Sequence, residues 1–427
     1  MTSRPIANEA YVWIWLPGAV EPVVAGVLTR NADRFIFNYG RSYLERHDAI
    51  PIYTPELPLQ RGAIAPEDGL ALASALRDAA PDAWGRRVIL NRLTGAKGRN
   101  ADLGTLDELT YLLESGSDRI GALDFQASPT DYVPRVAQAA SLEELMEAAA
   151  LVEKGIPLTP ELSQALFHGS SLGGARPKAM IVDGDRKLIA KFSSSTDTYN
   201  VVKAEYVAMQ LAHAVGLNVA VTHLLHTAGR DVLLVERFDR LKAAGGWQRT
   251  PMVSALTLFG LDEMMARYTS YEDLADIIRQ RFDAPKATLR ELFCRLVFNV
   301  ISGNTDDHAR NHAAFWNGDK LTLTPAYDIC PQNRTGNEAS QAMLIAGENR
   351  MSKLAVCLQA AVKFLLPEAE AMQIIVDQLE TVRERWAGVC NDAQLNDVDR
   401  RLLWGRMFFN PFIFEDAPQA ILDRARA

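Results

Sequence analysis

The stretch that most constrains this chain is Asn304-Thr305-Asp306-Asp307-His308-Ala309-Arg310-Asn311, followed by Leu323-Thr324-Pro325-Ala326-Tyr327-Asp328-Ile329. Directly before it, Leu289, Leu292, Phe293, Leu296, Val297 and Val300 recur at helical spacing. A buried helix therefore has to deliver a dense polar cluster at its C-terminal end. Asp306 stands five residues before Asn311, and Asp328 stands 17 residues beyond it. That order suits phosphoryl transfer: Asp306 accepts a hydroxyl proton, while Asn311 and Asp328 offer hard oxygen ligands to Mg²⁺ bridging the phosphates of ATP. Two other readings stay open on these residues alone. Asp, Asn and Thr also crowd into ordinary turns and helix caps. Asp306, His308 and His312 could be transition-metal ligands, although no cysteine pair or further ligand at recognisable spacing accompanies them.

Bulk properties narrow the class. With 427 residues, 48% of them hydrophobic, the chain has room for two or three domains with sizeable cores. A net charge of −8 argues against a broadly basic nucleic-acid surface. Cys294, Cys330, Cys357 and Cys390 form no CxxC, so neither a zinc site nor a disulfide framework is expected, and a reduced cytoplasmic setting is the simpler inference. The apolar stretch from Tyr11 to Leu28 is broken by Pro17, Gly18, Glu21 and Pro22, so no leader and no membrane span are expected.

Short strands punctuated by Gly and Pro are expected between 11 and 60, among them Val12 to Leu16 and Phe35 to Tyr39. The pattern turns helical from Gly69 to Leu93 and from Leu106 to Leu113, before an extended stretch from Ile120 to Phe125. Trp84 with Arg86 and Arg87 either packs in the core or contacts a partner. A link containing Pro129 and Pro134 leads into a helix from about Leu142 to Lys154, and the main boundary is placed near there.

Farther on, the paired glycines of Ser171-Leu172-Gly173-Gly174-Ala175-Arg176-Pro177-Lys178 let a backbone approach a phosphate, with Lys178 adding a point charge. The spacing is not that of a P-loop, and an ordinary turn before a strand would look the same. A hairpin turn at Asp183-Gly184-Asp185 leads into an apolar strand carrying Lys191, which needs a partner unless it faces solvent from an edge. A helix from Asn200 to Val215 makes Glu205 available to Lys191. Asp231 to Arg240 reads as a buried strand with a charged end, Lys242 to Gly246 as a flexible connector, and 330 to 350 as a mobile loop. From Ser254 onward the chain reads as mostly helical. Met372, Ile375, Val376, Leu379, Val382 and Trp386 share one helical face, and Leu402, Leu403, Trp404, Met407 and Phe408 form a further apolar group.

Taken in order, Pro81-Asp82-Ala83-Trp84-Gly85-Arg86-Arg87, Gly116-Ser117-Asp118-Arg119-Ile120-Gly121-Ala122-Leu123, the Ser171 to Lys178 motif, Lys191, Val235-Glu236-Arg237-Phe238-Asp239-Arg240 and the blocks at 304–311 and 323–329 resemble one family. It is the HipA family, the serine/threonine kinase toxins of bacterial toxin–antitoxin modules. The resemblance runs from about residue 10 to at least residue 330. It implies an α+β, two-lobed protein-kinase-like fold with a β-rich N-terminal subdomain and a mostly helical C-terminal lobe. An N-terminal region would occupy 1–150 and a kinase domain 151–427, divided into an ATP-binding lobe at 151–245 and a helical catalytic lobe at 246–427.

The resemblance further implies ATP and Mg²⁺ as cofactors, Asp306 as the base, and Asn311 and Asp328 at the metal. Gly173, Gly174, Ala175, Arg176, Pro177, Lys178 and Lys191 would hold phosphates; Glu236 to Phe238 would meet adenine; His308 and Tyr327 would lie near the nucleotide. Ser171 matches a serine that family members autophosphorylate, with Ser170 an adjacent candidate, and negative charge added there would repel the nucleotide. Implied partners are a HipB-like helix-turn-helix antitoxin that makes most of the operator DNA contacts and a protein substrate such as an aminoacyl-tRNA synthetase. Departures from ordinary protein kinases are the absence of HRD, DFG and GxGxxG. A catalytically silent HipA-like binding module or corepressor, and a small-molecule kinase, are the alternatives.

Overall fold

A computed structural model describes residues 7–94, 102–136, 140–166, 174–334 and 336–426. The chain forms two compact units, each assembled from separate stretches. Met1–Asp197, Leu225–Val253 and Phe315–Asp319 make the first; Thr198–Leu224, Ser254–Ala314 and Lys320–Ala427 make the second.

The first unit opens with strands β1 (Glu9–Ile14), β2 (Val23–Asn31) and β3 (Arg34–Tyr39), joined by β4 (Leu123–Gln126) into an antiparallel sheet of order β3-β2-β1-β4. Alternation in β3 buries Phe35, Phe37 and Tyr39 on one face, as a period of two requires. The expected helix from Gly69 to Leu93 is instead two pieces, Ser74–Arg77 and α1 (Ala83–Thr94). Pro81 explains the break: it lacks an N–H and disfavours helical geometry in the residue before it. Helix α2 (Glu108–Glu114) is capped by Asp107, and α3 (Leu142–Lys154) runs between a Ser141/Glu144 capping box and Gly155 at φ +71°.

A second antiparallel sheet contains β5 (Lys178–Asp183), β6 (Arg186–Phe192), β7 (Thr222–Thr227) and β8 (Arg230–Glu236) in the order β5-β6-β8-β7. The division between units falls inside β7. A two-residue turn, Gly184-Asp185, joins β5 to β6, and Gly184 takes φ +58°, as a primed turn demands. One face of the sheet, formed by Ala179, Ala190, Phe192 and Val232, packs on Trp84 and Val88 of α1 and on Leu145, Met146, Ala149 and Val152 of α3. Trp84 is thus a core residue, fully buried.

The connector expected at Lys242 to Gly246 is a correction. Strands β9 (Arg240–Ala243) and β10 (Gly246–Arg249) pair as a hairpin, and Trp247, opposite Lys242, lies 5.0 Å from the ammonium groups of both Lys187 and Lys242. Ala244 and Gly245 look like a linker, but cation–π contact gives the flanking residues a reason to pair.

In the second unit, α4 (Val201–Ala214) starts at an Asn200 cap and packs on the long α7 (Glu368–Asp392), while α5 (Tyr271–Arg281) and α6 (Pro285–Ser302) pack on each other. Helix α6 is buried without interruption from Leu292 to Ser302. The two apolar groups read near the C-terminus meet: Trp386 lies 4.9 Å from Trp404 and 5.1 Å from Phe408, ring centre to ring centre. Of residues 330–350, expected as a mobile loop, 336–350 are anchored by buried Gln341, Met343 and Ile345 and by the bridge of Ser340 to Met351. Their polar composition hid two inward-pointing apolar side chains. Among the described residues no helix is long and apolar enough to cross a membrane.

Candidate functional site

In the second unit, α6 ends at Gly303, whose φ of +71° turns the chain into the acidic loop. A Cβ at this position would come within 2.7 Å of the Met407 carbonyl oxygen, so only glycine fits. Gly303→Ala is therefore expected to cost about 1–3 kcal/mol of stability, read as a lower urea midpoint; an unchanged midpoint would show that the turn can relax. Next, buried Asn304 donates from Nδ2 to Asn299 Oδ1 (3.0 Å) and from its main chain to Asn299 O (2.9 Å), which pins the loop to the helix.

Asp306 and Asp307 then point in opposite directions. Asp307 is buried: the Tyr271 hydroxyl and His312 Nε2 (2.9 Å) both bond its Oδ2. Burial alone would raise its carboxyl pKa, but the His312 charge and these hydrogen bonds overcome that and hold it below the usual carboxylate range. Asp306 is exposed. Desolvation by surrounding protein raises its pKa, and the negative charges of Asp328 and Asp307 raise it further, against the opposing influence of His308.

The loop closes on itself through Asn311, whose main-chain N–H donates to His308 O (2.8 Å) and whose Nδ2 donates to Asp306 O (3.2 Å). That bond spends the amide nitrogen and leaves Oδ1 as the atom to offer a cation. Beside it, Tyr327 donates to Arg310 O (2.8 Å), which ties the 323–329 segment to the loop. Asp328 sits at φ +60°, a conformation uncommon for a residue with a side chain. His308 Nδ1 is buried with no hydrogen-bond partner among the described residues.

Three positioning residues escaped the sequence reading. Asp307 was hidden beside Asp306, and Tyr271 lies 36 residues away in the chain. Arg295 projects from α6, pairs with Glu291 (2.9 Å) and donates to Thr324 O (2.8 Å), so the helix aims both blocks of the site. The available signal was a charged residue inside an apolar helical stripe.

The remaining predicted residues belong to the first unit. Lys178 and Lys191 stand directly opposite each other on β5 and β6, on the face away from Ala179 and Ala190; Lys178 is buried and Lys191 half-buried. Gly174 takes φ +92°, and any side chain there would collide with Lys178 Nζ. Arg176 pairs with Asp197 (2.6 Å), and Pro177 O accepts from Phe192 N (3.0 Å). Glu236, expected near adenine, pairs with Arg186 (2.9 Å), and Phe238 stacks edge-on against Phe315 at 5.8 Å. Gly173, Ser170 and Ser171 lie outside the described residues. Glu205 is buried on α4 of the second unit, whereas Lys191 is on β6 of the first. Arg86 and Arg87, weighed as a partner contact, are engaged within the first unit: Arg86 with Glu108 and the Tyr111 ring, Arg87 with Ala175 O.

Comparison with known proteins adds the family. The profile described as HipA-like C-terminal domain matches residues 170–386, and the HipA N-terminal domain matches 16–126. The serine/threonine-protein kinase toxin HipA of Shewanella oneidensis is 22% identical over 326 residues, 70% of each chain. The Sinorhizobium fredii protein Y4mE is 27% identical over 273 residues, 57% of this chain and 60% of that protein, so the chain spans less than two thirds of this relative's length. Among solved structures, HipA in the Shewanella oneidensis MR-1 complex with HipB and operator DNA superposes with a TM-score of 0.64 at 18% identity, over 98% of this chain and 96% of that one. The fold is accordingly the α+β, kinase-like fold of that protein, β-rich toward the N-terminus and helical toward the C-terminus. With the C-terminal domain profile covering half of its residues and the N-terminal profile preceding it in order, this chain belongs to the HipA family.

Proposed function

We propose that this chain is an ATP- and Mg²⁺-dependent serine/threonine protein kinase and the toxin of a HipBA-like toxin–antitoxin system. The observation that carries the reading is the loop that Asn311 closes by donating to Asp306 O, with the negative charge of Asp328 near enough to raise the Asp306 carboxyl pKa. Like-charged carboxylates beside an amide oxygen make a site that a small hard cation relieves. Asn311 and Asp328 would hold Mg²⁺, which supplies charge neutralisation on the transferring phosphoryl group. Asp306, left outside that ligand pair and open to solvent, accepts the proton of the attacking hydroxyl. His308, with its unpartnered Nδ1, offers a donor or acceptor to the nucleotide.

In the first unit, Lys178 and Lys191 stand directly opposite each other, two ammonium groups suited to the phosphates of ATP. Gly174, Ala175, Arg176 and Pro177, with Gly173, complete the phosphate-holding set; Glu236 and Phe238 take the adenine end, and Tyr327 steadies the metal segment. The domain limits stay at 1–150 and 151–427, with lobes at 151–245 and 246–427. A HipB-like antitoxin carries the operator contacts, in keeping with the acidic balance of this chain. An aminoacyl-tRNA synthetase is the substrate class, and self-phosphorylation falls on Ser171 or Ser170. A cytoplasmic setting is part of this reading, supported by four free cysteines and a requirement for ATP.

The test is peptide mass spectrometry after incubation with Mg²⁺ and ATP, beside Asp306→Asn. Phosphate on Ser171 or Ser170 in the wild type alone is the expected result. No phosphate and no nucleotide binding would instead promote the silent corepressor, and transfer to a soluble small acceptor without self-modification would promote the small-molecule kinase. Asn311→Ala should raise the Mg²⁺ concentration for half-maximal rate by roughly 10- to 100-fold; an unchanged Mg²⁺ dependence would remove Asn311 from the metal.

A further inference from the structure

We propose that helix α1 of the HipA N-terminal domain belongs to the nucleotide machinery, with Asp82, Trp84 and Arg87 as positioning residues for the Gly174–Lys178 segment. This rests on the kinase reading above and goes beyond it, because it assigns a catalytic consequence to a motif that no role had absorbed. The two motifs are about 90 residues apart in sequence and are joined by a series of hydrogen bonds, all inside the first unit. Gly174 N donates to Asp82 Oδ2, and Trp84 N donates to Gly174 O (3.3 Å). Arg87 Nη2 reaches Ala175 O (2.9 Å), and the Trp84 indole Nε1 reaches Lys178 O (3.0 Å).

Each bond engages a backbone group of the segment and leaves its side chains untouched. Gly174 has its N–H held by Asp82, the residue before α1, and its carbonyl held by Trp84 in the first turn of α1, at a φ of +92°. Trp84 is fully buried beneath the β5-β6-β8 sheet, so its indole is a rigid post that fixes where Lys178 leaves the turn and enters β5. Lys178 Nζ folds back over Gly174, so the place of the ammonium group depends on the same held backbone. A phosphate-binding loop works by preorganised backbone and charge, and here the preorganisation is supplied by α1.

The experiment measures KM for ATP, kcat at saturating ATP, the Kd of a non-hydrolysable ATP analogue by calorimetry, and the melting temperature. It compares the full-length chain with Asp82→Ala, Asp82→Asn, Arg87→Ala and Arg87→Lys. The alanine variants are expected to raise KM and Kd about tenfold or more with kcat changed far less. Asn, which keeps an acceptor, and Lys, which keeps a donor, should recover most of the loss. A lower melting temperature with KM and Kd unchanged would reduce the contacts to structural ones and overturn the proposal. Tighter analogue binding in Asp82→Ala would also overturn it, since the carboxylate would then be blocking the segment. Absence of nucleotide binding by the wild type would mark failure of the kinase reading itself.

Discussion

Asp306→Asn is expected to lower phosphoryl transfer by roughly 10²- to 10⁴-fold, with the fold and ATP affinity retained. The carboxylate is exposed and the buried anchoring of the loop runs through Asp307, so the substitution removes a proton acceptor and no packing. Initial rates and analogue binding, measured side by side, separate the two. The pH profile gives a second readout. Desolvation by the surrounding protein, then the charges of Asp328 and Asp307, raise the Asp306 pKa above the ordinary aspartate value. A base works deprotonated, so the rate falls as pH drops through that raised pKa, and the acid limb lies higher than an ordinary aspartate would place it. Saturating Mg²⁺ favours the charged form and should move the limb to lower pH. A variant that keeps wild-type rates would assign the base elsewhere.

Asp118→Ala is expected to destabilise the chain by about 3–5 kcal/mol. Asp118 is buried and bonds Lys187, Arg237 Nη1 (3.1 Å) and Arg240 Nε (2.9 Å). Desolvation would raise its carboxyl pKa, but the charges of Arg240, Arg237, Lys187 and Arg249 win and hold it well below the usual range. Asp239 shares Arg237 and Arg240 (2.7 and 2.9 Å) and accepts from Gly121 N (2.8 Å). Deleting Asp118 strands two buried guanidinium groups and the half-buried Lys187 ammonium group, with one remaining carboxylate near the two arginines. The sign of the pH dependence follows from Lys187, whose pKa burial lowers from 10.5 to about 8. A folded-state pKa below the unfolded one means that the unfolded chain binds the extra proton, so stability rises with pH between about 8 and 10.5 and is lost as pH falls. Losing Asp118 removes the charge that supports the ammonium group, so the variant should be least stable near neutrality and recover toward pH 10. Urea midpoints across that range measure it, and a deficit independent of pH would place the cost in packing.

This network also explains why one part of the sequence reading reached further than another. The Gly116 to Leu123 and Val235 to Arg240 motifs were visible as charged runs, but nothing in either names the other as its partner. Burial of opposite charges from separate stretches of the sequence is a property of the folded chain alone. Arg237, between the two residues read as adenine contacts, proves to face inward to Asp118 and Asp239. The Asp307–His312–Tyr271 cluster was hidden for the same reason, since adjacent aspartates look alike until one is buried.

What the sequence determined by itself was whatever is encoded locally. The capping box at Ser141 with Gly155 bounded α3, the Gly184-Asp185 turn bounded a hairpin, the apolar stripe of α6 required burial, and the order Asp306, Asn311, Asp328 pointed to phosphoryl transfer. Tertiary structure decided what depends on distant groups meeting: which aspartate faces solvent, how α1 holds the Gly174–Lys178 backbone, and why Lys242 to Gly246 pairs as a hairpin. Short-range dihedral and periodic preferences can be read from neighbours in the chain, whereas desolvation and charge pairing belong to neighbours in space.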